Sequence, residues 1–326
     1  MPTRDNIGKG QRDLVVGLVN NMSKAACRTT EMQFQHLLDL ASRRQGVRVK
    51  LLALPACAPS DQDGTLTCMP EPNLAALRES RLDGMIVTGS EPKADAITDE
   101  PMWPAMARLV DWANENTIST VWSCLAGHVA VYHMDGLSRQ RLPTKLSGVF
   151  DCTKASDHYL VRDLPPRWTV PHSRHNGLDE ATLTRKGYQV LSHSPRVGPD
   201  MVVKKNKSLF VILQGHPEYG AESLSREYWR DVRRFLTEQR ESYPEIPESY
   251  FDQHTTTTLN ALREQATRQR DPVLLAARDT TVNAVATPSW GEAAVSLYAR
   301  WLSYLAEHGP QTAALPGKAY LPGKAY

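Results

Sequence analysis

Over its first two-thirds the chain alternates short apolar runs with stretches whose apolar residues recur at helical spacing, and this alternation restricts it to an α/β fold on a largely parallel sheet. Residues 14–19, Leu-Val-Val-Gly-Leu-Val, read as the first buried strand. After Thr29-Thr30-Glu31, Phe34, Leu37, Leu38 and Ala41 fall at i, i+3, i+4 and i+7 and mark a helix. Residues 47–54 make a second strand that Pro55 ends, and the aperiodic residues 56–72 read as a surface loop. Residues 83–89 form a strand that ends on Gly89, where open α/β sheets carry ligand loops. A helix over 103–114 and a strand over 118–122 follow.

Beyond Cys124 the alternation gives way to shorter strands, expected over 146–151, 188–193, 201–204 and 209–213. The helix after His216 is clearer, because Leu224, Tyr228, Val232, Phe235 and Leu236 make one apolar face. Residues 241–288 are polar, with four threonines in a row at 255–258, and read as a segment that wraps the surface or is mobile. Ser289 and Glu292 have capping-box spacing for a last helix, whose apolar positions are Ala294, Leu297, Tyr298, Trp301, Leu302 and Leu305. The hexapeptide Leu-Pro-Gly-Lys-Ala-Tyr stands twice at the end, over 315–320 and 321–326. Residues 311–326 therefore read as a disordered tail, and residues 1–310 as a single domain.

Composition excludes several functional classes. The 38 Lys and Arg against 36 Asp and Glu leave a net charge of +2, so no broad basic surface calls for nucleic acid. No apolar run approaches the ~20 residues of a bilayer helix, and the polar N-terminus has no signal-peptide core, so neither membrane nor export is expected. Cysteines at 27, 57, 68, 124 and 152 make no metal-type pair. Such an odd, sparse set fits a reduced, cytoplasmic protein with no metal site and room for a reactive thiol.

Two places carry the residues for chemistry. Cys124 follows a buried strand and precedes Leu125-Ala126-Gly127-His128, which can start a helix. A strand-to-helix elbow lifts a side chain clear of the sheet, and helix-start N–H groups, that of Leu125 first, can hold an oxyanion. The alternative is an inert buried cysteine. Gln214-Gly215-His216-Pro217-Glu218-Tyr219 follows the strand that ends at Leu213. Pro217 disfavours a helical backbone at His216, so an extended segment would project His216 and Glu218 to one side, as base and orienter. The alternative is a His and a Glu on a surface loop. Both places follow predicted parallel strands, whose C-termini meet at one sheet edge, and this joins them into a Cys–His–Glu set.

With these residues go the blocks Thr30-Glu31-Met32-Gln33-Phe34, Asp83-Gly84-Met85-Ile86-Val87-Thr88-Gly89, Lys145-Leu146-Ser147-Gly148-Val149-Phe150, Pro171-His172-Ser173-Arg174, Gly215-His216-Pro217-Glu218-Tyr219 and Tyr228-Trp229-Arg230-Asp231-Val232. In this order, from about Leu14 to about Leu305, the chain resembles the homoserine O-acyltransferases of the homoserine O-succinyltransferase type. The resemblance implies a flavodoxin-like, class I glutamine-amidotransferase-like sheet flanked by helices, with a nucleophile elbow at a strand C-terminus. It makes Cys124 the acyl-accepting nucleophile, His216 the base and Glu218 its orienter. It places the carboxylate-binding arginine on Arg230 and an active-site lysine on Lys24. Thr88, Gly89, Ser90, Lys93, Lys145, Ser173 and Arg174 are expected to line the substrate pocket, although Pro171-His172-Ser173-Arg174 reads equally as a structural turn.

The activity implied is acyl transfer from a coenzyme A thioester to the side-chain hydroxyl of L-homoserine, or of serine, by a ping-pong route through an acyl-cysteine. Acyl-CoA is then a co-substrate, no metal or redox cofactor is needed, and a homodimer is among the expected assemblies. Lys93 stands where relatives carry an uncharged or acidic residue tied to acyl choice, and a cation there would favour succinyl-CoA over acetyl-CoA. A glutaminase module is the rival within the fold, but those enzymes carry Gly-x-Cys-x-Gly, and here Trp122 and Ala126 occupy the glycine positions. A non-catalytic ligand-binding protein is the rival from another class, yet a binder needs no such combination as Cys124, His216, Glu218 and Arg230.

Overall fold

A computed structural model describes residues 13–42, 46–52, 81–278 and 289–309. Its strands are β1 (Leu14–Val19), β2 (Val47–Leu52), β3 (Gly84–Val87), β4 (Ser119–Ser123), β5 (Gln140–Lys154), β6 (Arg167–Gly177), β7 (Gln189–Ser194), β8 (Gly198–Lys205) and β9 (Leu209–Leu213). They form one sheet in the order β2-β1-β3-β4-β9-β8-β7-β5-β6. The first five in that order run parallel. From β9 onward the sheet continues antiparallel through β8, β7, β5 and β6.

The helices are α1 (Lys24–Ala41), α2 (Trp103–Asn116), α3 (Leu125–Asp135), α4 (Glu180–Arg185), α5 (Ser223–Leu236), α6 (Gln253–Arg268) and α7 (Gly291–His308). Because side chains alternate along a strand, the parallel sheet buries two apolar faces. Leu14, Val16, Leu18, Ile86 and Val121 pack with Phe34, Leu37 and Leu38 of α1 and Leu297, Trp301 and Leu305 of α7. On the other face Val87, Trp122, Phe210 and Ile212 pack with Met106, Leu109 and Val110 of α2 and Val129 and Ala130 of α3. Trp122 stacks on Phe210 at 5.9 Å, which fills the space between β4 and β9 behind the elbow.

The structure departs from the sequence reading in several places. Strand β6 was not among the expected strands, and Pro171-His172-Ser173-Arg174 lies inside it, paired with β5, rather than in a turn. Its inward positions include His172 and Arg174, so it lacks the apolar alternation that marks a strand. The threonine-rich segment contains helix α6: Asp252 caps it by accepting from Thr255 N at 2.7 Å, and the hydroxyls of Thr256, Thr257 and Thr258 donate to carbonyls four residues back. Leu259, Leu262 and Ala266 then bury against Tyr228, Val232 and Phe235 of α5, a burial of roughly 1.5–3 kcal/mol for each leucine. The expected capping box of α7 is not formed, since the Ser289 hydroxyl bonds that of Thr169 at 2.7 Å and Trp290 stands at the cap. Helix α1 begins at Lys24, several residues ahead of its apolar stripe. The expected loop over 56–72, Cys57, Cys68 and the tail over 311–326 lie outside the described residues. Among the described residues no helix is long and apolar enough to cross a membrane.

Candidate active site

Cys124 stands between β4 and α3 with φ 51° and ψ −116°, a left-handed backbone that costs a non-glycine residue about 1–3 kcal/mol. Surrounding contacts hold it there. Its N–H donates to Leu213 O at 2.7 Å, tying the elbow to the end of β9. One turn on, a Cβ at Gly127 would stand 2.6 Å from Ile212 Cγ2, so only glycine lets α3 pack this close to the sheet. The thiol is half-buried.

His216 arrives from the neighbouring strand, β9. After β9, residues 216–219 form a tight turn in which Tyr219 N donates to His216 O at 3.1 Å, with Pro217 at its second position. The His216–Glu218 pairing expected from an extended segment is therefore made by a turn. His216 N donates to Pro171 O at 2.8 Å, which fastens the turn to β6. The His216 Nδ1 lies 2.8 Å from Glu218 Oε1, so the carboxylate holds the proton on Nδ1 and leaves Nε2 for chemistry. Burial opposes a charge on His216, but the Glu218 carboxylate and the hydrogen bond and charge of Cys124 outweigh it and raise the pKa well above the ordinary value.

The Thr88–Gly89 loop closes over the elbow. A Cβ on Gly89 would lie 2.7 Å from Leu125 N and 2.9 Å from Ser123 O, so the loop backbone runs against the first N–H of α3. Helix-start N–H groups have no intrahelical acceptor and favour a negative charge. The Thr88 hydroxyl accepts from Asn21 N at 2.8 Å, and Asn21 Nδ2 donates to Thr88 O at 2.7 Å, so this side chain braces the loop against the end of β1. Ser90 is half-buried beyond it. The loop continues to Glu91, held by Arg234 Nη1 at 2.8 and 3.0 Å, and to the N–H groups of Lys93 and Ala94, which donate to buried Glu100. Arg139 pairs with Glu100 at 2.8 Å with both side chains buried. The Lys93 side chain itself is exposed.

On the α5 side, charged groups crowd around two carboxylates. Glu227 accepts from Tyr219 OH at 2.5 Å, from Lys145 Nζ at 3.2 Å and from the Ser173 hydroxyl. Burial pushes its pKa up, and Lys145, Ser173 and Tyr219 pull it down to about 2, so it stays ionised. Asp231 is bonded by Lys145 at 3.0 Å and Arg230 at 3.0 Å, with Arg234 and Arg240 each 3.6 Å away. The Arg230 side chain is 40% exposed, so the guanidinium keeps an open side. Lys24 is exposed at the first residue of α1.

With this geometry, the family comparison is decisive. Residues 1–310 match the family described as homoserine O-succinyltransferase. The chain belongs to that family. It is an enzyme of the homoserine O-acyltransferase type. Over 301 residues it is 46% identical to a homoserine O-succinyltransferase of Rhodopseudomonas palustris, covering 90% of this chain and 89% of that one. Against one from Bradyrhizobium japonicum the identity is 42% over 296 residues, with 90% and 91% covered. In fold it is similar to a glutamine amidotransferase from Thermotoga maritima, with a TM-score of 0.50 and 14% identity over 91% of this chain and 99% of that one.

In this family member the structure brings Cys124, His216, Glu218, Gly89 and Leu125 together at one sheet edge, and Lys145 and Ser173 with Arg230 on the α5 side. Arg174 is built differently. It is buried, with Nη1 on Asn176 O at 2.7 Å, Nη2 on Val197 O and Nε on His172 Nδ1 at 3.4 Å, so its guanidinium is committed to the interior. Burial lowers its pKa, while the charges of Cys124 and Asp200 act the other way. Cys152, His172 and Asp200 gather three metal-ligating types within 4.8 Å, but the Arg174 cation bonds the His172 ring, and Asp200 already accepts from Ser192 and Gly215. That donor set fits a hydrogen-bonded floor under the base turn better than a cation site. Sequence reasoning missed Tyr219, Glu227, Asp231 and Asp200. Glu227 and Asp231 stand within one helical turn of Arg230, a pattern that in sequence reads as a solvated helix face.

Proposed function

We propose that the protein transfers the succinyl group of succinyl-CoA to the side-chain hydroxyl of L-homoserine through an acyl-Cys124 intermediate. The observation that carries this reading is the junction of Cys124, at the end of β4, with the Glu218-oriented His216, at the end of β9. In the first half-reaction the Cys124 sulfur attacks the thioester carbonyl, with its proton on His216. The tetrahedral oxyanion sits against Leu125 N–H and the Gly89 loop. Collapse breaks the carbon–sulfur bond to CoA, which leaves as a thiol with the proton from His216. In the second half-reaction the homoserine hydroxyl gives its proton to His216 Nε2 and attacks the acyl carbon, and Cys124 leaves as a thiolate. Atoms and charges balance with the protein groups and the two substrates.

The acceptor is a zwitterion, and the α5 side offers both charges. Arg230 has an open side for the carboxylate. Glu227 has about four lone-pair sites, of which Tyr219, Ser173 and Lys145 use three, leaving one for the ammonium. Succinyl rather than acetyl as the donor group rests on the names of the relatives, because the Lys93 side chain is exposed.

The test is acylation without acceptor. Enzyme mixed with succinyl-CoA alone should release one equivalent of CoA and gain one succinyl mass on the peptide containing Cys124, and Cys124→Ala should do neither. Intersecting initial-rate lines with no labelled peptide would refute the route. The same assay run with acetyl-CoA ranks the donors, and turnover of the acyl-enzyme by L-homoserine against serine ranks the acceptors.

A further inference from the structure

We propose that Tyr219 is a positioning residue that fixes the plane of the His216 ring and, through its hydroxyl, fastens that ring to the carboxylate of the acceptor subsite. The inference rests on the proposed roles of His216 and Glu227. Hydrogen bonds from Nδ1 to Glu218 and with Cys124 hold the imidazole within its own plane but do little against tilt out of that plane. The Tyr219 ring removes the tilt. It lies 4.3 Å from the imidazole with 17° between the planes, a close stack on the ring that must aim Nε2 at Cys124.

Tyr219 is itself held at three points. Its N–H donates to His216 O at 3.1 Å and its carbonyl accepts from Trp290 Nε1 at 2.8 Å. Its hydroxyl donates to Glu227 Oε1 at 2.5 Å, a strong bond to a charged acceptor. Burial, with the charges of Glu227 and Glu218, raises the phenol pKa well above its ordinary value, so the hydroxyl keeps the proton it donates. Glu227 is in turn bonded by Ser173 and Lys145. One side chain thus touches the base with its face and the acceptor carboxylate with its tip, and the two functions separate by substitution. Tyr219→Phe keeps the stack and deletes the tip. Tyr219→Leu deletes both.

The two half-reactions read the two functions apart. Succinyl-CoA is the probe for the first, followed as the rate of CoA release without acceptor, and L-homoserine is the probe for the second. Tyr219→Phe should slow CoA release far less than Tyr219→Leu does and raise the homoserine KM roughly 3–30-fold, because Glu227 loses a fixed partner. Tyr219→Leu should slow CoA release by about 10–100-fold, since the base is no longer aimed. Equal slowing of CoA release by Phe and Leu, or a wild-type rate in Leu, would overturn the positioning role. An unchanged homoserine KM in Tyr219→Phe would overturn the coupling, and this arm decides the matter even where Tyr219→Leu does not fold. Failure of the underlying mechanism looks different: wild-type enzyme would then release no CoA without acceptor.

Discussion

Substituting Gly89 by alanine tests whether the loop backbone at the elbow holds the oxyanion. Gly89 does not occupy the left-handed region, so alanine tolerates its backbone and the effect is purely one of space. The added methyl would lie 2.7 Å from Leu125 N, 2.9 Å from Ser123 O and 3.1 Å from Leu125 Cβ. The first two are main-chain atoms at the elbow, which is tied to Leu213 O and cannot rotate aside. Ordinary contact is therefore restored only if the loop retreats by about 0.7 Å. A misplacement of this size, or the loss of one oxyanion donor, costs about 10²-fold in rate, close to 3 kcal/mol of barrier. The kcat of Gly89→Ala should fall by that order, and CoA release without acceptor should slow in parallel. The homoserine KM should stay within about threefold, since Arg230 and Glu227 are untouched. Overpacking should cost about 1–3 kcal/mol of stability, read as a lowered Tm. A folded variant with kcat within threefold of wild type would refute the assignment of this loop to the oxyanion.

Glu218→Gln removes the charge that most favours protonated His216, so the His216 pKa should fall. Protonated His216 then loses its proton at lower pH, and the alkaline limb of CoA release should move down the pH scale; an unmoved limb would show that Glu218 does not set this pKa. Lys93→Ala should change the ratio of kcat/KM for succinyl-CoA over acetyl-CoA by less than about fivefold, because an exposed charge contributes roughly 0–1 kcal/mol. A larger change would mean that the side chain turns into the acyl pocket when donor binds.

Strands β1, β3 and β9 of the parallel half of the sheet were legible in sequence because they are buried on both faces and read as continuous apolar runs. Leu14–Val19 and Leu209–Leu213 have the same bounds in structure as in pattern. The junction of Cys124 with His216 followed from the same logic, since both stand just beyond such runs. What escaped was polar structure. Strand β6 carries His172 and Arg174 inward and a proline in its middle, so nothing in its local pattern announces a strand. Helix α6 hides behind threonines, whose low helix preference is offset by the Asp252 cap and by burial against α5. Glu227 was illegible for another reason: its meaning lies in contacts with Lys145 and Ser173, more than fifty residues away, and that of Tyr219 lies in its bond to Glu227.

The division between legible and hidden parts follows the division of labour in the molecule. The positions of Cys124 and His216 are set by main-chain donors at the ends of β4 and β9, through Cys124 N on Leu213 O, His216 N on Pro171 O and Gly215 N on the Asp200 carboxylate. These bonds are made within the protein, and it is the fold alone that is similar to that of an amidotransferase at 14% identity. The proposed acceptor side is assembled from elsewhere: Lys145 on β5, Ser173 on β6, Glu227 and Arg230 on α5. The two meet at Tyr219, which belongs to the base turn and bonds Glu227. Substitutions beneath the elbow and the base turn should therefore lower the rate with every substrate alike, whereas substitutions at Lys145, Ser173 or Glu227 should change which hydroxy amino acid is acylated.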